Sequence, residues 1–242
     1  MRHHRASHDA HNSLIAGAAG VTTQLRESQV FTTRHQISVT PVDRSRPVER
    51  VSAALMGIVV AAFSAWVLLT LPIQPALILT VAGILSYAGW MRNTYRYPVR
   101  SKKVIATYLA AVGFQFIHMS EEYTGGFPHE IVQLFHSTRP WSERSFLLTF
   151  VFGFGSLWCL AAAGALYQVR VANFMLWFYA LGAGMLNAVS HFVFPIIKGG
   201  YFPGLYTAGG HLVLSTLLIV FLVQESRRLR ADHDAGRASA IV

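Results

Sequence analysis

Residue types that titrate or ligate metals recur at helical spacing in the second half of this chain. His118 is followed by Glu121 and Glu122, three and four positions on, and Gln115 precedes it by three. In a helix those offsets place Gln115, His118 and Glu122 along one stripe, with Glu121 at its edge. Asn187 and His191 are four apart, and Thr207, His211 and Ser215 follow the same interval. Imidazole nitrogens and carboxylate oxygens suit zinc, iron or manganese. A catalytic zinc takes three protein ligands and keeps a fourth position for water. His118, His191 and His211 form one such candidate set, which leaves Glu121 or Glu122 as general base or acid for hydrolysis of an ester or amide. Gln115, Asn187, Thr207 and Ser215 are the candidate supporting residues. A plainer reading makes the glutamates interfacial caps and the histidines hydrogen-bonded packing residues.

The elements that must position these residues are set by the scarcity of charge. Of 242 residues, 13% are charged and 53% hydrophobic, whereas soluble domains average about 25% charged. The 41 residues between Arg50 and Arg92 hold no Asp, Glu, Lys or Arg, and neither do Ser145–Val169, Val171–Ile197 and Gly199–Gln224. A bilayer core needs about 20 apolar residues per helix, and backbone polar groups in lipid must be bonded within the segment. The expected fold is therefore all-α, a polytopic bundle of six transmembrane helices near 51–71, 75–91, 104–122, 145–168, 171–195 and 204–225. A substrate reached from within the bilayer is most simply a lipid.

Three regions follow. Residues 1–50 hold five of the eleven histidines and seven arginines, and read as a disordered polar tail. Their one apolar stretch, Leu14–Val21, lacks the flanks and cleavage site of a signal peptide. Residues 51–226 form the membrane domain, and 227–242 a basic tail. With the N-terminus inside, 17 Lys and Arg fall on cytoplasmic segments and 3 on the other side. This bias predicts that both termini are cytoplasmic. It also accounts for the +9 net charge without nucleic acid, for which no binding motif is present. The single cysteine, Cys159, excludes an intrachain disulfide.

Topology then puts all three histidines in the outer half of the membrane. His118 and His191 lie near the outer ends of spans three and five, and His211 lies roughly 10 Å below the outer surface at 1.5 Å per residue. After span three, Gly125-Gly126 breaks the helix and Pro128 suits the first turn of another. Phe127, Ile131, Leu134 and Phe135 oppose His129, Gln133 and His136, the pattern of a short interfacial helix whose histidines are solvated. Gly153 with Gly155, Ala161 with Ala165, and Ala180 with Gly184 are expected to let helices approach closely. Tyr201 and Tyr206 are expected interface anchors.

His118-Met119-Ser120-Glu121-Glu122 resembles the H-x-x-E-E signature of the HXXEE-motif family of bacterial membrane proteins. Asn187-Ala-Val-Ser-His191 and the run Tyr201-Phe-Pro203-Gly204-Leu-Tyr-Thr207-Ala resemble its second and third blocks. The resemblance covers about residues 104–225. It implies a membrane site on His118, Glu121, Glu122, Asn187 and His191, and a multi-pass protein of the bacterial inner membrane, while leaving the reaction open. A zinc-like hydrolase acting on a lipid or other hydrophobic small molecule is the first expectation for function. Iron is the second metal, as in a non-haem oxidoreductase, although a di-iron bundle site uses about four carboxylates. A proton- or ion-coupled transporter is a further alternative, against which no internal repeat or broken helix pair is evident. So is a non-enzymatic protein whose polar stripes hold helices together.

Overall fold

A computed structural model describes residues 45–239, which contain helices and no strand. The disordered tail expected over 1–50 falls mostly outside the described residues. The part inside them, Ser45–Arg50, is helical and begins α1 (Ser45–Thr70). The order continues with α2 (Ile73–Arg92), α3 (Lys102–Thr124) and α4 (Phe127–Leu134). Next come α5 (Glu143–Leu166), α6 (Arg170–Lys198) and a last helix, α7, which spans Leu205–Ser239. The expected basic tail is thus helical as far as the structure describes it. Its Arg, Ala and Leu residues are good helix formers, and nothing between Leu205 and Ser239 breaks the turn.

Helices α1, α2, α5, α6 and α7 are long and apolar enough to cross a membrane. The third expected span, α3, has 23 residues and is not among those five. Its inner-facing stripe carries Gln115, His118 and Glu122, all buried, and four charged residues, Lys102, Lys103, Glu121 and Glu122, stand at its two ends. Large apolar side chains are exposed around the bundle, Leu69, Leu160 and Ile196 among them. Such a girdle is stable against lipid and not against water.

The boundaries follow local chemistry. Pro72 precedes α2, Ser142 accepts a hydrogen bond from the Ser145 amide to cap α5, and Gly199 ends α6 in the left-handed region. Gly126, at φ 71°, turns the chain from α3 into α4, a conformation that costs glycine little. Helix α6 is central and packs on α2, α5 and α7. Residues 176–180 are buried without interruption, as expected for a helix that is apolar on every side. Of the small-residue pairs, Ala161, Ala165, Ala180 and Gly184 are buried, and Gly155 lies against the Phe116 ring. Gly153 is the exception: it is exposed and meets no neighbouring helix.

Both α5 and α6 contain a π-helical stretch of 8 residues, Leu147–Phe154 and Tyr179–Leu186. Such stretches are rare and concentrate at functional sites. A row of aromatic rings explains the first. Phe146, Phe150, Phe154 and Trp158 are spaced by four. At 3.6 residues per turn, steps of four would drift steadily around an α-helix. The wider i→i+5 winding of the π turn offsets the drift and keeps the row on one side.

Candidate metal centre

The site lies where the end of α3, the second half of α6 and the start of α7 meet. His118 and His191 are fully buried, and Glu122 is 4% exposed. One donor atom from each lies within 4.8 Å of the others, an arrangement that can hold a metal ion. Glu122 Oε1 is 3.0 Å from His191 Nε2 and 3.5 Å from His118 Nε2. Ligand atoms around a tetrahedral zinc at about 2.0–2.2 Å stand roughly 3.3–3.6 Å apart, close to these two separations, and the donor atoms of the two histidines lie within 4.8 Å of each other.

Hydrogen bonds orient His118. Its Nδ1 is 2.6 Å from Thr207 Oγ1, which donates at 2.6 Å to Glu121 Oε2. Thr207 has one hydroxyl proton, and the Glu121 carboxylate can only accept. The proton therefore goes to Glu121, and Thr207 accepts from His118 Nδ1–H. That tautomer leaves the Nε2 lone pair facing the cluster, where Asn187 Nδ2 lies 2.8 Å away. A hydrogen bond from the second ring nitrogen that fixes the tautomer is the usual support for a metal-bound histidine, and here the Thr207 hydroxyl, held by Glu121, accepts it.

Glu121, expected as a candidate base or acid, has a different position from its neighbour. Its oxygens accept from the Tyr201 hydroxyl, the amides of Gly204, Tyr206 and Thr207, and the Thr207 hydroxyl. It caps the start of α7, where unpaired amides and the helix dipole favour negative charge. Successive residues of a helix point about 100° apart, so only one of the two glutamates can face the cluster.

His211, expected as the third imidazole ligand, is displaced by Glu122, which supplies the third donor. His211 is fully buried with its ring centroid 4.5 Å from that of His118, and neither of its nitrogens has a hydrogen-bond partner. Ser215, one turn further, is also buried with an unpartnered hydroxyl. His129 and His136 on and after α4 are exposed, and His129 pairs with Gln133.

Gly204 lies in the turn that Pro203-Gly204 predicts before the last helix. Its φ is 92°, and a Cβ there would overlap the rings of both His191 and His118. The turn into α7 thus passes directly against the two imidazoles. Phe127, at the start of α4, covers the cluster with its ring 5.3 Å from His191.

Glu122, Asn187, Ser190 and Gln115 also line a cavity in the bundle interior, of about 70 Å³ and walled largely by aromatic side chains. The cluster is therefore a buried carboxylate–histidine site at the edge of an apolar chamber. No protein-family model, curated protein or solved structure matches this chain.

Proposed function

We propose that the protein is a metal-dependent membrane hydrolase, zinc first, that cleaves an ester or amide in a lipid or lipid-like molecule. The observation that supports it is the buried His118–Glu122–His191 group, whose two imidazoles and one carboxylate match a known catalytic zinc set. A zinc ion held there supplies a Lewis acid and lowers the pKa of its water toward about 7. The chain's own residues do the rest. Thr207 and Glu121 hold His118 in the ligating tautomer, and Asn187 and Ser190 present hydrogen-bonding groups on the cavity side. Phe127 and the aromatic walls exclude bulk water. Because Glu122 serves as a ligand in this arrangement, the proposal assigns it no separate role as base.

The same donor set of two histidines and one carboxylate also suits ferrous iron, and this specific feature keeps a non-haem oxidoreductase as the second reading. In the proposed topology α3 crosses the membrane as the third of six spans, both termini are cytoplasmic and α4 lies along the outer interface of a bacterial inner membrane. In this reading residues 104–225 form an HXXEE-like membrane domain.

Metal analysis of the detergent-purified protein tests the assignment. Near-stoichiometric zinc, lost in His118→Ala and Glu122→Ala, is the expected result. Iron in its place selects the second reading. Protein that binds neither zinc nor iron when supplied with both overturns the metal centre.

A further inference from the structure

Five aromatic rings form a continuous ladder along one wall of the cavity. Centroids are 5.9 Å apart from Trp141 to Phe146, 5.5 Å to Phe150, 5.7 Å to Phe154 and 5.7 Å to Trp158. All five line the cavity. An indole stands at each end, and the Nε1–H of both Trp141 and Trp158 is buried without a hydrogen-bond partner. Buried indole N–H groups normally find one, and an unsatisfied donor carries a desolvation cost. Trp158 is 2% exposed and Trp141 8%.

The Trp158 end has a second unpartnered group. Gln115 is 3% exposed, lines the same cavity and has a buried carbonyl oxygen with no donor. Gln115 and Glu122 share a face of α3, seven residues or roughly 10 Å apart. The cavity thus reaches from Glu122 to Gln115, and its lining includes one unpaired donor, Trp158 Nε1, and one unpaired acceptor, Gln115 Oε1. The rest of its wall is aromatic and aliphatic.

We infer that the cavity binds an elongated, mostly apolar molecule with a hydrogen-bonding group at each end, the one at Trp158 and Gln115 a hydroxyl. A hydroxyl accepts from Trp158 and donates to Gln115, satisfying both at once. The other end, an ester, amide or hydroxyl, meets Trp141, Asn187 and Glu122. This names the substrate class of the site proposed above and rests on that reading only for what happens to the bound molecule. A simple acyl chain satisfies the Glu122 end and leaves Trp158 and Gln115 unpaired.

The test uses metal-free full-length protein in lipid nanodiscs. A brominated dodecanol, whose heavy atom quenches the cavity tryptophans, is displaced by dodecanol or by dodecanediol with a hydroxyl at each end. The diol is expected to bind at least about fivefold more tightly, the order of one satisfied neutral hydrogen bond. Trp158→Phe and Gln115→Leu should each abolish that preference. Equal affinities for the two alcohols in the native protein, or no displacement at all, overturn the inference. A preference that survives both substitutions overturns it as well. Zinc content is measured on the same preparations, so failure of the metal centre and failure of the ligand class are read separately.

Discussion

Two buried polar regions sit at opposite ends of this bundle, and they differ in how completely their groups are paired. Around the α2–α3 loop every named buried group has a partner. Asn173 accepts from the Val99 amide at 2.9 Å and donates to the Val169 carbonyl at 3.0 Å. Trp177 Nε1 donates to Thr94, Ser226 donates to the Asn93 carbonyl, and Glu225 accepts from the Arg100 amide and from Arg228. Around the α3–α6–α7 junction, both nitrogens of His211, Nδ1 of His191, the Ser215 hydroxyl and the Gln115 carbonyl are buried and unpartnered. A satisfied network fixes loops and helix ends, and its value is stability. Buried polar groups left unpaired call for an explanation; of these, the Gln115 carbonyl is the one that the ligand inferred above would pair.

The largest effects should come from the unpaired region. Glu122→Ala or His191→Ala is expected to reduce bound metal from near-stoichiometric to background. Added zinc at a hundred times its Kd should raise the stability of the native protein by about 2.7 kcal/mol and that of either variant by little. Melting curves with and without zinc measure this. An equal rise in the variants would falsify the ligand assignment and remove the contrast between the two ends. Next in size is Glu121→Gln, which keeps the side chain's shape but weakens its hold on Thr207 and so on His118. Support of this kind typically contributes about ten- to a hundredfold in metal affinity, to be read by competition with a chelating dye.

How much of this was legible in the residues depended on whether local spacing or distant packing set the outcome. The pairing of His118 with Glu122 was legible from an i, i+4 interval, and His191 was expected beside them from the topology that the Lys and Arg distribution predicts. The division of labour between Glu121 and Glu122 was not. It depends on where the Gly199–Gly204 turn brings the start of α7, a tertiary relation that no interval in α3 records. His211 was read as a ligand on the same expected depth; its ring does lie beside that of His118, but Glu122 completes the donor group. The aromatic ladder did leave a signal, Phe146, Phe150, Phe154 and Trp158 at every fourth position. It passed as ordinary apolar sequence because the π turn that keeps those rings aligned arises from packing. The helical extension of α7 past residue 226 was hidden by its charge, which resembles that of a solvated tail.

The fully paired end should respond differently. Asn173→Ala leaves the Val99 amide without its acceptor, and the expected cost is about 1–3 kcal/mol. Metal content and affinity should stay at the native level. Denaturation monitored by tryptophan fluorescence gives the first quantity and metal analysis the second. Lost metal in this variant would mean that the two ends are coupled and that pairing does not separate structure from site.

The smallest effect sharpens the boundary of the site. Tyr201 is 41% exposed and donates to Glu121 at 3.0 Å, one of several donors on that carboxylate. Its phenol pKa is pushed up from 10.0 to about 12, by partial burial first and then by the Glu121 hydrogen bond and charge. A raised pKa means that the folded protein holds this proton more tightly than the unfolded chain does. The stabilisation is therefore fully present below pH 10 and is lost as pH rises through 12. Tyr201→Phe should cost only about 0.5 kcal/mol at neutral pH, since a half-exposed hydrogen bond competes with water. The gap between native and variant melting temperatures should stay constant up to pH 10 and close above it, with metal content unchanged throughout. A gap that widens above pH 10 reverses the sign and shows that Tyr201 does not donate to Glu121. Metal loss in Tyr201→Phe would instead extend the site to the rim of the α6–α7 turn, because one donor among several would then be enough to disturb His118.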